Sequence, residues 1–151
     1  MKLAEALITR SNLQKRIDGL REKLLKYSKV QDGDEPPENP DMLYKEISDC
    51  YDEVTSLIQR INKTNSAVMF DEERTIADTI AFRDVLVQRY NTANKLVASA
   101  TDVIDRYSTK EIKIKSSVDV KMYQKTANKF AKDYRELDMK IQEKNWAVEL
   151  M

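Results

Sequence analysis

The chain has 151 residues with 26 basic and 26 acidic side chains, so its formal charge at neutral pH is zero. No global field draws it towards nucleic acid or an anionic membrane, which argues against a basic-patch function. Charged residues make up 34% and hydrophobic residues 41%, a mixture typical of long helices and apolar enough to fold.

From Leu3 the apolar positions step by three and four through Leu3, Ala6, Leu13, Ile17, Leu20, Leu24 and Tyr27, which predicts a first helix over about residues 2–29. Arg10 interrupts this seam. The apolar run at the N-terminus is broken by Glu5 and is too short for a signal peptide, so a soluble, cytoplasmic protein is expected. Gln31 to Pro40 is acidic and holds all three prolines, which lack the amide donor a helix needs; it reads as a loop.

Asn39-Pro40 has the form of an N-cap followed by a first-turn proline and opens a second helix, about 40–65. Its seam is Leu43, Ile47, Cys50, Val54, Leu57, Ile61 and Thr64, and it ends in amides and a hydroxyl where more aliphatic residues would be usual. Cys50, the single cysteine, reads as a buried small hydrophobe. Residues 66–74 read as an irregular connection. Thr75 with Asp78 starts a third helix, about 76–107, with two apolar stripes. One stripe runs Ile76, Ile80, Arg83, Val87, Tyr90, Asn94, Val97, Thr101, Ile104; the other runs Phe82, Leu86, Ala93, Leu96, Ala100, Val103, Tyr107. A helix apolar on two sides is central or carries an intersubunit face.

Glu111 to Lys115 alternates with isoleucine on one face and predicts a short strand, with Val30-Gln31 as its expected partner. Asp119 then caps a fourth helix, about 119–146, with a seam of Val120, Tyr123, Ala127, Phe130, Tyr134, Leu137 and Ile141. The fold class is all-α: one domain over residues 1–151, an antiparallel, up-down-up-down bundle of four long helices. A short two-stranded β pairing is expected in the loops at one end.

In that topology the polar breaks gather at one end. Arg10, Asn62, Asn65, Arg83, Gln142 and Asn145 form an expected polar layer, with Asp84 and Asp138 supplying countercharge and Trp146 covering it. Two readings are open: the layer fixes bundle register, or it binds a small anion or polar metabolite. No histidine, glycine-rich phosphate loop or paired-cysteine motif occurs, so common general-base chemistry and common metal sites lack their residues, and no cofactor is expected.

At Glu5-Ala6-Leu7, Leu13-Gln14-Lys15-Arg16-Ile17, Val30-Gln31 with the acidic loop, Arg60-Ile61-Asn62, Thr64-Asn65, Arg83-Asp84, Glu111-Ile112, Ile141-Gln142 and Asn145-Trp146, the chain resembles a bacterial family of uncharacterised small helical proteins often labelled septicolysin. The resemblance spans nearly the whole length and implies an all-helical fold without an established reaction. Asp71-Glu72-Glu73 stands where that family tends to have a glycine turn. The label implies membrane activity, for which no apolar span or basic amphipathic helix is present. The leading expectation is a non-catalytic, cytoplasmic, self-assembling protein, a dimer or higher, with neither nucleic acid nor membrane as partner. Ligand binding through the polar layer is the alternative.

Overall fold

Asn39 is the first local signal the structure realises. Its side-chain oxygen accepts from the amides of Asp41 at 2.9 Å and Met42 at 3.4 Å, and Pro40 occupies the first turn where no donor is needed. The computed structural model describes residues 1–101 and 114–151. Within them lie four helices: α1 (Leu3–Tyr27), α2 (Pro40–Ala67), α3 (Ile76–Thr101) and α4 (Val120–Ala147). Asp119 caps α4 by accepting from the Met122 amide at 3.0 Å. The all-helical expectation holds.

The chain forms two compact units, Met1–Thr75 with Glu143–Met151, and Ile76–Gln142. In the first, α1 lies against α2. Arg16 pairs with Glu46 at 2.7 Å and Lys23 with Glu38 at 3.1 Å, so the partner number falls as the α1 number rises, the register of a helical hairpin. The buried residues of this pair are Leu3, Ala4, Ala6, Leu13 and Ile17 from α1 and Leu43, Ile47, Cys50, Val54, Leu57, Ile61 and Thr64 from α2. All seven positions of the expected α2 seam are buried.

The α1–α2 loop turns at Gly33, whose φ of 90° lies in the left-handed region that side chains disfavour. Between α2 and α3, Met69 and Thr75 form an isolated antiparallel bridge. The Asp71 carboxylate closes this turn, accepting from the amides of Glu73 and Arg74 at 3.0 and 2.8 Å and from the Arg74 guanidinium at 2.6 Å. Those bonds, that to the Arg74 side chain foremost, hold the Asp71 carboxyl below its ordinary pKa. A carboxylate that captures its own backbone performs here what a glycine does by conformational freedom.

In the second unit, α3 and α4 meet through an Arg83–Asp138 ion pair and through Arg89, which stands 5.9 Å from the Phe130 ring centre. Leu86, Ala93 and Ala127 are buried, whereas Val87, Tyr90, Leu96, Tyr123, Phe130 and Tyr134 are half-buried. The expected extension of α3 to residue 107 and most of the Glu111–Lys115 segment lie outside the described residues. Val30, Gln31, Ile114 and Lys115 are described, and none of them is in a strand.

Candidate functional site

The end of α2 is organised by Thr64, a fully buried residue on the seam. Its hydroxyl donates to the Arg60 carbonyl at 2.8 Å and accepts from the Met151 amide at 3.0 Å. The Arg60 Nε donates to the Met151 main-chain oxygen at 3.0 Å. The residues following α4 are thereby held against α2, and on their other side against the start of α1: Leu3 N donates to Val148 O and Leu150 N to Met1 O, each at 2.9 Å. Lys2 Nζ reaches Glu149 at 2.6 Å, and Lys2 N donates to Glu5 at the head of α1. The hydrogen bond from Lys2, followed by that from the Met1 amino group, holds the Glu149 carboxyl below its ordinary value. The hydroxyl at the end of the seam therefore accepts a strand-like backbone, which a hydrocarbon could not do.

Asn145 is 4% exposed, and its Oδ1 is a buried acceptor with no hydrogen-bond partner among the described residues; Arg10, half-buried in the same unit, likewise has its Nε buried without an acceptor among them. Each is a buried polar function that a water or another small polar molecule can satisfy. In the second unit, Arg83 is saturated by charge. Its guanidinium donates to Asp84 at 2.9 and 3.1 Å and to Asp138 at 2.9 Å. Burial pulls the Arg83 pKa down, but the bonds to the two carboxylates outweigh it and leave it raised. One cation facing two anions is not an anion-binding centre.

Of the expected layer, Arg10, Asn65, Arg83 and Asn145 are at least half-buried, and Asp84 joins Arg83 as countercharge together with Asp138. Asn62, Gln142 and Trp146 are exposed, Trp146 at 54%, and correct the expectation. Helix phase explains all three. Asn62 and Gln142 each follow a buried isoleucine, Ile61 at 2% and Ile141 at 1%, by one residue, a turn of about 100° away from the core. Trp146 follows the buried Asn145 by the same step.

The half-buried apolar residues of α3 and α4 also border two grooves that no polar break announced. One, of about 430 Å³, runs along Val85, Arg89, Leu96, Tyr123 and Phe130. The other, of about 370 Å³, lies among Val87, Tyr90, Asn91, Ala131, Tyr134 and Arg135. The double stripe on α3 was their signal in the sequence. Among the described residues, no group of three or more Cys, Asp or Glu side chains is placed to hold a metal ion, and no helix is long and apolar enough to cross a membrane.

The chain is similar to a functionally unknown conserved protein from Corynebacterium diphtheriae, known from its crystal structure. The two share 40% sequence identity with a TM-score of 0.94 over 100% of this chain and 99% of that one. No curated protein matches it. A model of one family of unknown function, DUF6847, matches residues 10–150, and the chain belongs to that family.

Proposed function

We propose that the chain is a non-catalytic, cytoplasmic helical protein that self-assembles, a second copy covering the outer face of α3 and α4. The observation that carries this reading is the apolar groove bordered by Val85, Leu96, Tyr123 and Phe130, with Phe82 46% and Val85 42% exposed beside it. A pair of helices buries one stripe of each, and α3 has two. A formal charge of zero opposes no approach of like copies, and Arg89 and Gln88 give the groove a polar margin.

Size exclusion with light scattering tests the assembly. A dimer or larger species at micromolar concentration is expected, and Val85→Glu should return it to a monomer, because an interface of this kind must desolvate its centre. A strict monomer for the native chain refutes the reading.

A second reading is binding of a small polar molecule at the Arg10 and Asn145 end of the first unit, favoured by the two buried atoms that lack partners. Asn145→Leu should abolish any stabilisation that a polar metabolite confers on the native chain. Stabilisation that survives the substitution, or that no metabolite confers, refutes this reading.

A further inference from the structure

We propose that the groove among Val87, Tyr90, Asn91, Ala131, Tyr134 and Arg135 is a binding site for a small planar aromatic carboxylate. It shares no residue with the groove assigned to self-assembly, and on α3 the two lie on opposite sides: Val87, Tyr90 and Asn91 stand about half a turn from Val85, Gln88, Thr92 and Leu96. Its volume of about 370 Å³ is within the range of small-molecule sites.

The chemistry of the lining is specific. Val87, Ala131 and the two half-buried tyrosines supply flat apolar wall, which suits a planar ring. Among the described residues the polar groups are two phenol hydroxyls, one amide and one guanidinium, and none that borders the groove is a carboxylate. Among the described residues Arg135 makes no ion pair, in contrast to Arg83 one helical turn further along the helix pair, which faces two carboxylates. The neighbouring acids are engaged elsewhere: Asp138 with Arg83 and Glu136 with Lys132. A guanidinium without a countercharge at the rim of an aromatic-walled groove matches a ring bearing a carboxylate, which it can bind through two parallel hydrogen bonds. Asn91 and the tyrosine hydroxyls can serve the remaining lone pairs.

Titration of the native chain with 2-naphthoate, followed by the ligand's fluorescence anisotropy, tests this. Saturable binding with Kd of about 100 µM is expected, about tenfold weaker for Arg135→Gln and for the neutral isostere 2-naphthamide, and unchanged for Val85→Ser in the opposite groove. Amide chemical-shift changes centred on Asn91 and Ala131 locate the ligand and hold even if a substitution perturbs folding. Equal binding of naphthoate and naphthamide would mean a non-specific apolar surface and overturns the proposal. So does the absence of saturation up to about 5 mM, far above the affinity such a site would give, or shifts centred on Val85 and Thr92.

Discussion

Replacing Arg83 by Met removes a guanidinium that serves two carboxylates of different burial, and the structure ranks what each should lose. Asp84 is 57% exposed in its side chain, and an ion pair of that kind contributes about 0.2–1 kcal/mol. Asp138 is 31% exposed against an Arg83 that is 23% exposed, with a single 2.9 Å bond between them. A charged hydrogen bond there is worth about 1.5 kcal/mol, below the roughly 3–5 kcal/mol of a fully buried pair because water still reaches both groups. Arg83→Met should therefore cost about 1.5–2.5 kcal/mol in total, softened by the apolar stem that Met retains. A double-mutant cycle separates the parts: coupling of Arg83 to Asp138, read with Asp138→Asn, should be about 1–2 kcal/mol, and to Asp84 below about 0.5 kcal/mol. Urea unfolding followed by far-UV circular dichroism is the assay, run at one protein concentration because self-association would add a concentration-dependent contribution. Adding salt to about 1 M should erase the Asp84 coupling and leave most of that to Asp138. Equal couplings, or an Arg83→Met protein within about 0.5 kcal/mol of wild type, would refute the burial argument.

Thr64→Val keeps shape and volume but removes the hydroxyl that accepts from Met151, and should cost about 1–2 kcal/mol with faster hydrogen exchange at the Met151 amide. The Glu149 carboxyl is held below its ordinary value of 4.5 by Lys2, so its contribution is complete above that pH and is lost as pH falls through the depressed folded value. By NMR it should titrate below 4.5 in the native chain and move back towards 4.5 in Lys2→Met.

Most of α2 could be read from the sequence because every signal in it agrees: a proline-preceded cap, seven seam residues in steps of three and four, and no internal breaker. The errors came where the seam turned polar. Periodicity places a residue to about a third of a turn, which separates Ile from its neighbours when the neighbours are charged but not when Asn62, Thr64 and Asn65 are polar together. Thr64 is the inward residue of that group, as its seam position predicts, and Asn62 is an outward one. The same ambiguity put Trp146 over the core when Asn145 holds that position. The residues from Val148 to Met151 showed no periodicity at all, because what holds them is mostly main-chain hydrogen bonding, to Met1, Leu3, Arg60 and Thr64, which leaves no side-chain pattern.

The polar interruptions consequently fall into two kinds, and satisfaction separates them better than position does. Thr64 and Arg83 have their partners within the chain, so their polarity is accounted for by architecture: one receives a backbone, the other ties α3 to α4. Arg10 and Asn145 retain a buried donor and a buried acceptor without partners, and Arg135 retains a charge without a counterion among the described residues. Unmet hydrogen-bonding capacity and unmet charge are what a ligand supplies. A search for binding chemistry in this chain should therefore start from Asn145 and Arg135, and the Arg83 cluster, one part of the expected polar layer, should be treated as a structural clamp.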